Sequence, residues 1–187
     1  MMKRIINFLQ ERATGRTVLI LVVVTLGVYA AMLLYTIPSV LEHAPDMNLF
    51  DMSPGGYSLE YAGSLLDAIG ADGRQTYLTR QLPMDFVYPG LFAVTYTLLL
   101  TWLFNKGFSQ RSPIFYLALV PAVAGLFDYL ENVGIIMMLR SFPNISAATV
   151  AYASVCSVIK SVFTTGFFIL LLVGIAALAI RRIGARD

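Results

Sequence analysis

The chain has 187 residues, of which 58% are hydrophobic and only 13% charged, with a mean hydropathy of +0.74. About a quarter of the residues in an ordinary soluble domain are charged, so this composition excludes a soluble globular domain and predicts an all-α integral membrane protein. The formal net charge of +2 conceals a polarised distribution, described below. Cys156 is the only cysteine and His43 the only histidine. That excludes an intrachain disulfide, CxxC redox chemistry, His-clustered zinc and haem held by two histidines.

Four stretches are apolar for the roughly 20 residues that a helix needs to cross a bilayer: about 17–40, 85–105, 113–139 and 147–180. They predict an antiparallel four-transmembrane-helix bundle in a single membrane domain, with residues 41–84 forming a short amphipathic helical lid outside the cytoplasm. Lys3, Arg4, Arg12, Arg16, Lys106, Arg111, Arg181, Arg182 and Arg186 fall on one side, and only Arg74, Arg80 and Arg140 on the other. The excess of basic residues predicts cytoplasmic N- and C-termini, in a plasma or bacterial inner membrane. The first span is too long for the apolar core of a signal peptide and lacks a small-x-small site, so it is expected to be an uncleaved signal anchor.

In chain order, the first span is expected to end near Pro38. Residues 42–56 are rich in Pro, Asp, Asn, Ser and Gly and read as irregular loop. Residues 57–69 have helical spacing in Ala62, Leu65, Leu66 and Ile69, with Gly70 as terminator. Asp72 and Gln75 have capping-box spacing for a second short helix through Leu82, and Pro83 is expected to separate it from the next span. Ser112-Pro113 supplies an N-cap and a first-turn proline for the third span, and Pro121 should open that helix locally. Phe142-Pro143 marks a short turn before the fourth. Asn144-Ile145-Ser146 has the form of a glycosylation sequon, a pattern common by chance.

The most informative residues lie inside the spans. Asp128, Glu131 and Asn132 share one face of the third helix by their i, i+3, i+4 spacing. Ionisable groups within a bilayer are costly and mark a partner or a function. At a rise of ~1.5 Å per residue, Asp128 lies ~22 Å, Glu131 ~27 Å and Lys160 ~30 Å above the basic ends of their helices. Asp85 opens the second span at the same level, so four ionisable groups from three helices meet in the outer part of the slab. Tyr88 and Ser157 extend the polar stripes of the second and fourth helices, and Arg80 or Arg140 is placed to reach a carboxylate left over by Lys160.

Three readings follow. In the first, Asp85, Tyr88, Asp128, Glu131, Asn132, Ser157 and Lys160 line an acidic, outward-facing chamber that binds or helps transport a cation, a proton or an amphiphilic ligand. In the second, the carboxylate pair serves as acid and base of an enzyme acting on a lipid or isoprenoid, or Asp85, Asp128, Glu131 and Asn132 hold Mg²⁺ or another hard cation. In the third, the chain is an accessory or structural subunit and Glu131–Lys160 only ties two helices together. The expected partners are the lipid bilayer, a small amphiphile or cation, and a second copy or another membrane protein. Nucleic acid is not expected.

Overall fold

The computed structural model describes residues 2–183. Arg186, counted above with the basic end, lies outside the described residues. The fold is all-helical: among the described residues there is no strand. Four helical stretches are long and apolar enough to cross a membrane, Gly15–Val40, Gly70–Gly107, Pro113–Ser141 and Ala147–Ile183, which marks a membrane protein.

A short helix not foreseen from the sequence, α1 (Met2–Arg12), precedes α2 (Gly15–Ala31). Thr14 separates them and caps α2 by accepting from the Thr17 amide. After α2 the chain makes a π-helical turn, Met32–Thr36, and continues through α3 (Ile37–Val40). The span ends at Val40, close to Pro38 as expected. In the π turn the Ile37 amide reaches back five residues to the Met32 carbonyl, and the next residue, Pro38, has no N–H to place. The wider turn absorbs the proline instead of ending the helix.

The same device recurs later. Helix α4 (Leu59–Ala68) is capped by Ser58, as its periodicity predicts, and is followed by Gly70 at φ +64°, a left-handed position that glycine adopts without a Cβ penalty. Then α5 (Gly70–Thr76), a π turn Tyr77–Gln81 and α6 (Leu82–Gly107) form one unbroken 38-residue rod. The Leu82 amide reaches back to Tyr77, and Pro83 follows. Two expectations are corrected here. No break separates the short helix from the second span, and the Asp72–Gln75 capping box is not made, because α5 begins at Gly70 with no side-chain cap.

The Ser112 cap is formed. The first seven residues of the third span, Pro113–Leu119, are 3₁₀ helix, and the Val120 amide bonds to Leu117. The Leu117 carbonyl would otherwise await an amide from residue 121, which is Pro121. The predicted opening at Pro121 thus takes the form of a change of helix type before α7 (Val120–Ser141). The last helix is α8 (Ala147–Ile183).

Helix α6 packs on α2, α7 and α8, and α7 packs along α8. Close approach depends on small residues. A Cβ at Gly125 would stand 2.6 Å from the Pro89 carbonyl oxygen of α6, and one at Gly134 would stand 2.6 Å from Ala153 Cβ of α8. Two large apolar cores result, with a small third cluster of Ala13, Val18 and Leu98. One joins Leu49, Phe50, Leu65, Leu66, Ile69 and Tyr77 of the 41–84 region to Ile135, Met138, Val150 and Ala153. The other lies towards the basic end, around Phe92, Leu100, Phe104, Phe115, Ala124 and Phe167. On each of three helices the ionisable residues fall between the two cores: Asp85 between Leu82 and Phe92, Asp128 and Glu131 between Ala124 and Ile135, and Lys160 between Ala153 and Phe167.

Replacement of Gly125 by Val should force α6 and α7 apart and lower stability by about 1–3 kcal/mol, the usual cost of overpacking. Thermal unfolding of the purified protein in detergent reads this directly; an unchanged midpoint would contradict so close an approach.

Candidate functional site

The centre of the polar layer is Lys160, whose side chain is 13% exposed. Its Nζ lies 3.2 Å from Asp128 Oδ1 and 2.5 Å from Glu131 Oε2, and it donates to the backbone carbonyl of Asp51 at 3.4 Å. An ammonium group has three N–H donors and no acceptor. Two of them are hydrogen-bonded, to Asp128 Oδ1 of α7 and to the Asp51 carbonyl in the 3₁₀ turn Phe50–Met52, while the contact with Glu131 Oε2 is an ion pair without hydrogen-bond geometry. The spacing of Asp128 and Glu131, one helical turn apart, lets both carboxylates flank one nitrogen.

Asn132 does different work. Its Nδ2 donates to the backbone carbonyl of Asp85 at 2.9 Å. That carbonyl is free because the residue four positions on is Pro89, inside α6, which has no amide to offer. The amide therefore repairs a proline defect in the neighbouring helix, at Pro89 and not at Pro121. Asp85 itself is buried, 3% exposed, and its Oδ2 has no hydrogen-bond partner; Glu131 Oε1, Asn132 Oδ1 and the Tyr57 hydroxyl are likewise buried and unpartnered among the described residues. Burial, then the Glu131 carboxylate, push the Tyr57 phenol well above its ordinary pKa, so it remains a neutral donor.

Asp51 is the residue that sequence reasoning missed. Its Oδ1 accepts from the Tyr77 hydroxyl at 2.5 Å and its Oδ2 from Gln81 Nε2 at 3.2 Å. The Gln81 side-chain oxygen in turn accepts from the Thr36 hydroxyl. Thr36 and Gln81 are the last residues of the two π turns, so the irregular turns of two spans meet on this carboxylate through Gln81. An acidic residue in a polar loop carries no sequence signal comparable to one inside an apolar run.

Two adjoining cavities, of about 280 and 190 Å³, open beside this layer and share Tyr29, Asp51, Pro54, Tyr88, Asp128 and Lys160 in their walls. The larger extends along Phe92, Ala124, Ser161, Thr164 and Thr165, between α2 and α8. The smaller reaches Asp85 and the apolar side chains Met32, Leu33 and Ile37. Tyr88 lines both and stacks on Tyr29, with ring centroids 5.3 Å apart.

Of the sequence-predicted site residues, Asp85, Tyr88, Asp128 and Lys160 line these cavities, while Glu131 and Asn132 lie behind them, fully buried. Ser157 is not brought to either cavity wall. Its hydroxyl donates to the Ser53 carbonyl at 3.1 Å, and Ser154 accepts from the Tyr57 amide at 2.8 Å, so these serines tether residues 53–57 to α8. Arg80 and Arg140 are exposed and reach no carboxylate; Arg74 donates to Leu66 O at 2.6 Å and lies over the Phe142 ring. The Mg²⁺ expectation is also corrected. Among the described residues no group of three or more His, Cys, Asp or Glu is arranged to hold a metal ion, because Lys160 occupies the space between Asp128 and Glu131.

The layer thus brings four carboxyl groups (Asp51, Asp85, Asp128 and Glu131) around one lysine. Lys160 is matched by Asp128 and Glu131, and Asp51 is held by two neutral donors. Asp85 has neither a cation nor a donor on Oδ2. The arrangement can accept a positively charged or proton-donating group at Asp85 without disturbing Lys160.

Lys160→Met should destabilise the protein by about 3–5 kcal/mol, since it strands two buried carboxylates. The triple replacement with Asp128→Asn and Glu131→Gln should recover most of that loss. Thermal unfolding of the wild type and the two variants checks both, and a triple variant no better than Lys160→Met alone would contradict the pairing.

Compared with protein-family models, curated proteins and solved structures, the chain shows no match to any of them.

Proposed function

We propose that this chain is a membrane-embedded binding protein for an amphiphile with a cationic head, such as an amine. In this reading the four spans form an antiparallel bundle, both termini are cytoplasmic, and residues 41–84 are a lid over an acidic chamber that faces outward. The observation that carries the reading is Asp85: a carboxyl group buried at a cavity wall, with Oδ2 unpartnered, in a layer where the one lysine is already engaged by Asp128, Glu131 and the Asp51 carbonyl.

The walls support an amphiphile over a bare ion. Beyond the carboxyl groups and Lys160, the smaller cavity is lined mainly by Tyr29, Met32, Leu33, Ile37, Met52, Pro54 and Tyr88, while the larger adds Phe92 and Ala124 with the hydroxyls of Ser161, Thr164 and Thr165; aromatic faces favour organic cations. The larger cavity lies between α2 and α8, both of which carry many exposed apolar side chains. A ligand dissolved in the bilayer has a lateral way in, its apolar body staying among apolar side chains while its head reaches the polar layer. A buried carboxylate without a partner is costly, and a cationic head seated at Asp85 would supply the charge that Oδ2 lacks. Transport of such a ligand needs a second copy or another membrane protein, because four spans alone enclose little pathway. Acid–base catalysis by Asp128 and Glu131 is the weaker reading, as both are engaged by Lys160.

Thermal unfolding in a mild non-ionic detergent, with a long-chain alkylamine or the fatty acid of equal length added, tests the proposal. The amine should raise stability, by about 2.7 kcal/mol at a hundredfold excess over Kd, and the acid should not. Asp85→Asn should keep the fold and lose the response. Equal responses to amine and acid, or an undiminished response in Asp85→Asn, would refute it.

A further inference from the structure

A cavity larger than the two beside the polar layer lies away from that layer. It has a volume of about 620 Å³ and is walled by Phe8, Leu9 and Arg12 of α1, Thr17 of α2, Ala93, Val94, Thr97 and Leu98 of α6, and Ala122 of α7. Six of these nine residues are apolar, one is basic and none is acidic. The volume falls within the range of about 300–1,000 Å³ typical of small-molecule sites.

Its shape follows from the helices that form it. Arg12 ends α1 and Thr17 lies in the first turn of α2, so both sit at the basic end of the spans. Thr97 and Ala93 are ten and fourteen residues before the end of α6 at Gly107, which places the far end of the slot ~15–20 Å deep. The slot therefore has a basic, exposed mouth and an apolar interior running into the depth of the bilayer. Helix α1 is held across the mouth: Asn105 Nδ2 donates to the Gln10 carbonyl at 3.1 Å, and Gln10 Nε2 donates to the Gln110 carbonyl at 3.2 Å. Met2, Ile5 and Phe8 of α1 are nevertheless exposed, the character of a helix lying in a bilayer interface.

Charge identifies the occupant. Arg12 makes no ion pair among the described residues; its guanidinium lies over the Phe8 ring at 5.4 Å, and Lys3, Arg4 and Arg16 are its basic neighbours along the chain. We infer that the slot is a binding site for an anionic phospholipid, with one acyl chain between α1, α2, α6 and α7 and the phosphate on Arg12. The site is independent of the acidic layer, which has the opposite charge and selects the opposite head.

The test uses the full chain purified in mild detergent and supplied with equal amounts of phosphatidylglycerol and phosphatidylcholine, with bound lipid counted by native mass spectrometry. One basic residue near an anionic headgroup contributes ~1 kcal/mol, so the wild type should retain phosphatidylglycerol about fivefold over phosphatidylcholine. Arg12→Gln, at an exposed position, should bind both equally. Ala122→Phe should fill the slot and lose both lipids; Val94→Trp, at an exposed position beside Ala93, should obstruct its deep end from the outer side and also lose both. Asp85→Asn should leave lipid retention unchanged, which separates this site from the chamber. A wild type without preference, an Arg12→Gln protein that keeps it, or slot-filling variants that still hold lipid would each overturn the assignment.

Discussion

A lysine buried in a membrane span must be neutralised where it stands, and much of this structure follows from that requirement at Lys160. Removing an ammonium from water costs several kcal/mol even after the protein relaxes, and the cost is offset only by opposite charge and hydrogen bonds close at hand. Two carboxylates come from α7 and a backbone carbonyl from the Phe50–Met52 turn, so a single nitrogen fixes α7 against α8 and draws the connecting segment down on both. The two apolar cores then pack above and below a layer that could not be apolar itself.

Prolines shape the same layer from the backbone side. Pro38 and Pro83 each follow a π turn, Pro121 follows a 3₁₀ segment, and Pro89 sits within α6. Each removes an amide from a helical ladder, and in a bilayer a carbonyl left open cannot turn to water. The structure answers in two ways. Before Pro121 the helix changes pitch, and the Val120 amide reaches the Leu117 carbonyl that the proline leaves open. At Pro89 Asn132 crosses from α7 to reach Asp85. The amide thereby anchors the backbone of Asp85 and leaves the carboxyl of the same residue free to face the cavity.

What could be read from the sequence, and what could not, divides along these lines. Four apolar runs identify four spans, because length and hydropathy are properties of one segment alone. Asp85, Asp128, Glu131 and Lys160 stand out since nothing in an apolar run explains a charge, and helical rise places them at one depth. Asp51 did not stand out: it lies 109 residues from Lys160 in the chain, among other acidic loop residues. Ser157 shared the right face and depth, but periodicity cannot say which neighbour that face meets, and it meets Ser53. The first span ends at Val40, close to Pro38 as expected, whereas no boundary falls at Pro83, because a proline breaks an α-ladder but is accommodated after a π turn. Helix α1 was missed for want of length; it depends on its contacts with α6 and the 105–110 loop.

The four walls of the chamber are not equally held. Helices α6, α7 and α8 each pack on the other two, whereas α2 meets the rest chiefly through α6. Its ties to α6 and its N-terminal extension are specific but few: the Thr25–Thr95 hydroxyl pair at 2.7 Å, Tyr29 stacked on Tyr88, and Thr36 on Gln81. Tyr29 is also a wall of both cavities. Displacement of α2 alone therefore widens the chamber while leaving Lys160, Asp128, Glu131 and the Asn132 bridge untouched, since none of them bonds to α2. The charged contacts are confined to α7, α8 and the Phe50–Met52 turn, and the wall formed by α2 is the one fastened by neutral hydrogen bonds and ring stacking.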